Sequence, residues 1–344
     1  MTANAPDLVT VGGLTVDNVI AADGRVALAQ AGGNGAYSAV GAREWSQRVG
    51  LVSHAVASYP RAVIARLEEN GIDLGGVVWS EAQLTACNWF IYDTAGHRDD
   101  SLQSPPETLA QYGFPVDLLT PVQITEWRAA LAARSAPDEI SYSQFRNDHP
   151  LRLEQVPERF LRARGVHLAP SQPEVMHSMI ELFAPKGAII TADPGWQLIA
   201  HGLDALAPLL ARLDAFLPSE IELRALVPGA HPADALAVLA RYCSGALAVK
   251  LGPDGVLIWN RARSEAMPVA AVPTAAVDPT GAGDAFCGGF LAGLVETGDP
   301  MRAAAFGAHS ASRIVSCFGA DGALPQDIGA ERAARQHFDR NSAQ

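Results

Sequence analysis

The side chains best placed to do chemistry lie in ten residues near the end of the chain: Val277-Asp278-Pro279-Thr280-Gly281-Ala282-Gly283-Asp284-Ala285-Phe286. Their order predicts a strand end, a turn and the first turn of a helix running from about Gly281 to Val295. Proline pre-sets φ at a helix entry, and threonine can cap it. Gly281 and Gly283 leave the first-turn amides without side-chain cover, so a ligand can approach closely. Those amides lack an intrahelical partner, and the aligned peptide dipoles add partial positive charge. The result is a site for an anion such as a phosphate. Asp284 is then the odd residue, a carboxylate beside a pocket suited to negative charge. It has two readings. It complements the helix dipole, or it is a general base that takes a proton from a hydroxyl while the amides hold a transferring phosphoryl group.

Such a helix start needs a frame, and the chain supplies βα alternation. Asp7 to Gly13 is a short apolar run ending in glycines, a buried first strand, and Leu14 to Ile20 continues as a second that carries Asp17. Val49 to Val56 is another strand, followed by a helix from Tyr59-Pro60 through Glu69 that Asn70-Gly71 closes. Alternation resumes at Gly165-Val166-His167-Leu168, with strands at Ala188–Thr191, Ala215–Leu217 and Ala246–Leu251. Helices are expected at Pro173–Phe183, Asp204–Leu213, Glu220–Val227, Pro232–Cys243 and Arg302–Cys317. The pattern predicts an α/β fold with a doubly wound, mostly parallel central sheet and helices on both faces. Ligands in such sheets bind beyond the carboxyl ends of the strands. Gly75–Ser80 and Thr85–Tyr92 are also strand-like, and with residues 14–30 they suit a small sheet projecting from the main body. Prolines at 105, 106, 115, 121 and 137 break the segment 99–150, leaving one apolar helix face at Ile124, Trp127 and Leu131.

The nine residues from Asp278 to Phe286 resemble, almost without departure, the C-terminal signature D-T/P-T-G-A-G-D-x-F of the ribokinase-like (PfkB) carbohydrate kinases. The stretch Ala31-Gly32-Gly33-Asn34-Gly35-Ala36-Tyr37-Ser38-Ala39 is similar to the family's N-terminal G-G-x-x-x-N-x-A signature, with Tyr37 where Asn is expected. The resemblance implies a single kinase domain over residues 1–344, with a lid sheet at about 14–30 and 75–98 and an inserted segment at 99–150. It implies ATP and Mg2+ as cofactors, Asp284 as the catalytic base, and the amides of Gly281, Ala282 and Gly283 as the anion hole. It further implies that Asp17 grips sugar hydroxyls, that Gly33 and Asn34 orient the acceptor, and that Tyr37 stands at a position that usually touches the sugar. A lid would exclude water that competes as phosphoryl acceptor, and in some members it doubles as a homodimer surface.

Two further stretches carry both a local and a family reading. Pro218-Ser219-Glu220-Ile221-Glu222 follows a strand and matches a capping box on its own. It also resembles the family's N-x-x-E motif, linked to metal and phosphate binding, with Ser219 standing for Asn. Glu222 is thereby associated with Mg2+ and Ser219 with the nucleotide. Val249-Lys250-Leu251-Gly252-Pro253-Asp254-Gly255 is a strand, tight turn and strand that needs no ligand as turn chemistry. In the family this loop lies against the nucleotide phosphates, which makes Lys250, Gly252 and Gly255 candidates. Asp278 and Thr280 correspond to positions that hold a monovalent cation such as K+ in many members.

Composition excludes several other classes. A net charge of −12 over 344 residues lacks the basic footprint of a nucleic-acid binder. No run approaches the roughly 20 apolar residues of a membrane span, and residues 1–7 show no secretory signal. The four cysteines form no C-x-x-C and read as reduced thiols in a cytoplasmic protein. There is no G-x-x-x-x-G-K-[ST], no third glycine after Gly281-Ala282-Gly283, no H-E-x-x-H and no G-x-S-x-G. The leading reading is an ATP-dependent kinase acting on a hydroxymethyl group of a sugar or sugar-like molecule. A nucleoside acceptor is the alternative, with Tyr37 as a ring to stack against. A third is a ligand sensor that keeps the fold without turnover. Tyr37, Ser219 and Ala57-Ser58-Tyr59, where the family has Gly-Asp, point toward the sensor, and the intact Asp284 points against it.

Overall fold

A computed structural model describes residues 5–57, 59–81, 87–94, 96–99, 106–134 and 142–324. Ser58, the expected strand start at Thr85, Pro105, Pro137 and the side chain of Leu131 lie outside the described residues. The strands are β1 (Leu8–Val11), β2 (Thr15–Ile20), β3 (Val26–Gly32), β4 (Val49–Val56), β5 (Ile72–Ser80), β6 (Cys87–Tyr92) and β7 (Arg98–Asp99). They continue with β8 (Gly165–Leu168), β9 (Ile189–Ala192), β10 (Ala215–Phe216), β11 (Ala246–Lys250), β12 (Val256–Asn260) and β13 (Glu265–Val269). Among the described residues nine of them form one sheet in the order β13-β12-β11-β10-β9-β8-β1-β4-β5. Every pairing from β5 to β11 is parallel, and β12 and β13 add antiparallel at the far edge. β4 is buried along all its length, as a strand covered by helices on both faces must be.

A separate sheet has the order β3-β2-β6-β7, with β2 and β6 parallel and its other pairs antiparallel. The expected lid strand Gly75–Ser80 is not in it. That stretch belongs to β5, which pairs with β4 at the edge of the large sheet, Val52 beside Gly76 and Val56 beside Ser80. Its apolar residues Ile72, Leu74 and Val77 are buried with Leu51, Val63 and Leu67. Strand propensity is the same for either sheet, so the partner decides.

Residues of the segment 99–150 serve two places. Leu109, Val116, Leu119 and Trp127 form a buried cluster with Ile20, Trp89 and Ile91, so the helices Pro106–Gln111 and Pro121–Arg134 back the small sheet. The helix Tyr142–Asp148 instead lies by the large sheet, where Arg146 donates to the Pro170 carbonyl at 3.4 Å.

Two helices set the candidate site, Asn34–Arg43 and Ala282–Thr297, and they approach backbone to backbone. A Cβ on Gly41 would lie 2.1 Å from the Ala285 carbonyl oxygen, and one on Gly288 would lie 1.9 Å from that of Ser38. The Ser310 hydroxyl donates to the Gly41 carbonyl at 2.9 Å and accepts from Trp45 Nε1 at 2.9 Å, which ties in the helix Pro300–Val315. Gly41→Val therefore forces the two helices apart, since a carbonyl cannot swing away as a side chain would. The expected loss is about 1–3 kcal/mol or more, read as a lower denaturation midpoint at unchanged slope. A wild-type midpoint would show that this contact does not hold the helices.

Candidate active site

The helix begins at Ala282, with Gly281 as its N-cap at φ 73°. Only glycine fits there, because the backbone is left-handed and a Cβ would meet the Tyr37 ring at 2.2 Å. Two details differ from expectation. Thr280 does not cap the helix: its hydroxyl shares a 2.8 Å hydrogen bond with Tyr92 of β6, and its amide donates to Asp278 Oδ1 at 2.9 Å. The Ala282 amide is taken up by the Pro279 carbonyl at 3.3 Å. The open amides among the described residues are therefore those of Gly281, Gly283 and Asp284 rather than Gly281, Ala282 and Gly283. The left-handed Gly281 curls the chain into that turn, which removes Ala282 from the set and leaves Asp284 in its place.

The Asp284 carboxyl is partly exposed on this helix start. It is raised to about 6: desolvation by the surrounding protein outweighs Lys250 and Arg98, and Glu222 and Asp17 add to the rise. Arg98 reaches in from the small sheet, where its guanidinium lies 4.7 Å over the Phe90 ring. Trp89 does not reach the site and is buried behind the sheet.

Lys250 ends β11, and its ammonium stands 3.6 Å from where a Cβ on Gly283 would be. It donates to Asp193 Oδ2 and lies 3.5 Å from Cys287 Sγ. Burial pulls the ammonium toward neutrality, but the Asp193 carboxylate beside it prevails and holds it protonated. Asp193, at the carboxyl end of β9, escaped the sequence reading. The one signal was a lysine closing a buried strand in a chain with two lysines. Asp193 Oδ1 is buried without a hydrogen-bond partner among the described residues.

Ser219 and Glu222 form the expected capping box: Glu222 Oε2 accepts from the Ser219 amide and hydroxyl, both at 2.7 Å. The Ser219 hydroxyl is thus committed to the cap, while a strand bridge sets Ser219 beside Lys250. Gly255 is likewise committed to structure. Its amide donates to the Gly252 carbonyl at 3.1 Å, and at φ 88° a Cβ would lie 2.3 Å from the Val269 carbonyl oxygen. Gly252 is exposed at the tip of the turn. Asp278 is buried, with Oδ2 lacking a partner among the described residues.

On the other side, Asp17 is buried beneath β3 and accepts from Thr15 at 3.1 Å, Asn88 at 3.1 Å and the Tyr37 hydroxyl at 3.4 Å. A Cβ on Gly32 would lie 2.1 Å from its carboxyl carbon, which accounts for that glycine. Burial above all raises the Asp17 carboxyl to about 6, with Asp278 adding to it. Tyr37 is buried between Asp17 and Gly281, so its ring is not a face on which a base could stack. Asn34 is also turned to the scaffold: its Oδ1 accepts from the Gly13 amide at 2.6 Å and its Nδ2 donates to the Pro170 carbonyl at 2.9 Å. Gly33 caps its helix at φ 100°, with the Gly13 carbonyl oxygen 2.4 Å from where a Cβ would be.

The arrangement is an open helix start, a protonated lysine and a raised carboxylate, all at the carboxyl ends of parallel strands. Comparisons with known proteins bear on the fold and the family. The chain is 25% identical over 297 residues to a cytidine kinase of Thermococcus kodakarensis, covering 86% of this chain and 91% of that one. It is 28% identical over 297 residues to an ATP-dependent ribose-1-phosphate kinase of Halopiger xanaduensis, covering 84% and 83%. A putative ribokinase II from E. coli, solved in complex with ATP and Mg2+, shares the fold with a TM-score of 0.68 at 18% identity, covering 96% and 99%. A nucleoside kinase of Burkholderia thailandensis, solved in complex with inosine, does so with a TM-score of 0.65 at 17% identity, covering 97% and 98%. The model of the pfkB family carbohydrate kinases matches residues 143–327, more than half of the chain, and the chain belongs to that family.

Proposed function

We propose that this kinase transfers the γ-phosphoryl group of ATP to a hydroxymethyl group of a sugar or sugar-like acceptor. The observation that carries the reading is Asp284, raised to about 6, on the same helix turn as the open amides of Gly281, Gly283 and Asp284. Asp284 takes the proton of the acceptor hydroxyl as its oxygen attacks. The amides and the Lys250 ammonium bear the charge that spreads over the phosphoryl oxygens, where positioning and electrostatics supply most of the catalysis. Asp17, held by Thr15, Asn88 and Tyr37, anchors the acceptor on the far side of the Gly281 turn. The Tyr92–Thr280 hydrogen bond keeps the small sheet over that turn, where it excludes water.

The cofactors fit the groups present. Glu222 raises the proton affinity of the nearby Asp193, and the two carboxyls are a concentration of negative charge that suits Mg2+ carried in with the nucleotide. When bound, that ion neutralises charge on the β- and γ-phosphates. Asp278 Oδ2, buried and without a hydrogen-bond partner among the described residues, suits a monovalent cation such as K+. A nucleoside acceptor is a second reading, supported by the likeness to the cytidine kinase, since a nucleoside presents the same hydroxymethyl group.

ATP consumption measured over a panel of free sugars, sugar phosphates and nucleosides tests the reading. Turnover is expected with an acceptor that carries a free hydroxymethyl group and is lost with its deoxy analogue. Acceptor binding without turnover anywhere in the panel would overturn it in favour of a sensor.

A further inference from the structure

Between the acceptor side and the helix start stands Tyr37, 2% exposed and in contact with both. Its hydroxyl points to the carboxyl that anchors the acceptor, and its ring covers the glycine whose amide faces the phosphoryl group. We propose that Tyr37 is a positioning residue with two separate ends: the hydroxyl sets the Asp17 carboxyl, the ring sets the Gly281 amide, and one rigid side chain thereby fixes the gap between acceptor and phosphate. This role rests on the transfer reading above and adds to it the residue that joins its two halves.

The Tyr37 hydroxyl donates to Asp17 Oδ2 at 3.4 Å, whereas Thr15 and Asn88 both donate to Oδ1, so among the described residues Tyr37 alone serves Oδ2. Burial above all, and then the Asp17 charge, raises the Tyr37 phenol well above its ordinary range. The hydroxyl therefore keeps its proton and stays a donor. At the other end, a Cβ on Gly281 would lie 2.2 Å from Tyr37 Cγ and Cδ1 and 2.5 Å from Cδ2. The ring and the left-handed turn are thus in direct contact, with no room for either to move toward the other. The helix that carries Tyr37 is itself fixed, because Gly41, one turn on, meets the Ala285 carbonyl and the Ser38 carbonyl meets Gly288. Across the turn, Tyr92 holds Thr280 from the small sheet, so Gly281 is set from both sides. Such rigidity suits attack by a hydroxyl on phosphorus, where a misplacement of about 1 Å can cost about 10²-fold.

Cutting the two ends separately tests this role. Tyr37→Phe keeps the ring and removes the hydroxyl, and Tyr37→Leu removes both. Steady-state kinetics with cytidine and with D-ribose, each bearing a hydroxymethyl group, are run above the pH range in which Asp17 titrates. Tyr37→Phe is expected to raise the acceptor KM by about 3- to 10-fold, the usual effect of one lost hydrogen bond, with kcat little changed. Tyr37→Leu should also lower kcat by about 10²-fold, as the Gly281 amide drifts from the phosphoryl oxygens. A side chain that only fills the core would leave the acceptor KM unmoved in Tyr37→Phe. That result, or kcat falling alike in both variants, would overturn the proposal. Calorimetry with Mg2+ and a non-hydrolysable ATP analogue, without acceptor, reads the ring end alone. Tyr37→Leu is expected to bind the analogue about 10-fold more weakly, as a loosened charge-assisted contact does, and Tyr37→Phe as wild type does. Equal affinity in all three would overturn the proposal. This measurement decides even if nothing in the panel were phosphorylated, an outcome that would sink the transfer reading alone. Should Tyr37→Leu not fold, Tyr37→Met replaces it with the same expected results.

Discussion

Asp284→Ala is expected to lower kcat by at least about 10²-fold, the usual loss when a positioned general base is removed. Affinity for ATP should stay within a few-fold, because the nucleotide phosphates meet the amides and Lys250 and not this carboxyl. The pH dependence separates a base from a residue that only complements the helix dipole. A base acts in its deprotonated form, and the Asp284 carboxyl is raised to about 6 by burial and by Glu222 and Asp17. Wild-type kcat/KM should therefore be flat above neutrality and fall as pH drops through about 6, while the residual rate of Asp284→Ala loses that dependence on Asp284. Asp17 is raised to about 6 as well. The wild-type limb thus reports two interacting carboxyls as a pair, and Tyr37→Phe, which takes one donor from Asp17, should move it upward. Turnover by Asp284→Ala equal to wild type would remove this residue from the mechanism.

Lys250→Met is expected to cost about 3–5 kcal/mol of folding stability, the range for breaking a buried pair by deleting one partner. The pair is well shielded, with Lys250 and Asp193 side chains 11% and 6% exposed. Deleting the cation strands a carboxylate among β9, β11 and Cys287. The deficit should depend on pH in a definite direction. Burial raises the Asp193 carboxyl and Lys250 opposes that rise, so removing Lys250 pushes it higher. The folded state then binds a proton that the unfolded state has released, and stability falls as pH rises from the ordinary carboxylate range through and beyond 7. The loss should thus be smaller at pH 5 than at pH 8. A double variant, Asp193→Leu with Lys250→Met, should lose much less than the sum of the two single losses, read in a denaturant double-mutant cycle. A single-variant loss below about 1 kcal/mol would mean that water reaches the pair and that Lys250 is not held for the site by Asp193.

Much of this was legible along the chain because it depends on neighbours in sequence. The helix of the site starts within one residue of where Gly281 and Gly283 place it. Helix Pro173–Phe183 and strand Val49–Val56 lie where apolar periodicity puts them. The Ser219–Glu222 capping box closes within three residues, so its two halves are visible together. The doubly wound sheet follows from alternation, and the family from nine contiguous residues around Asp284.

What distant parts of the chain decide was not legible. Thr280 looks like a cap until Tyr92 arrives from the small sheet and takes its hydroxyl. Tyr37 looks like a stacking surface until the Gly281 turn is laid against it. Asn34 looks like a ligand contact until Gly13 and Pro170 claim both ends of its amide. Gly75–Ser80 is a strand in any reading, but only the edge offered by β4 says which sheet it joins. Propensity, capping and dipole act over a few residues, so the elements, the helix start and its carboxylate are visible along the chain alone. The tertiary structure decided which polar groups are used up by the scaffold and which remain for a ligand, because hydrogen-bond partners and desolvation are set by whatever packs alongside. Asp193 is the plainest case: it is an ordinary turn residue until the sheet brings Lys250 beside it.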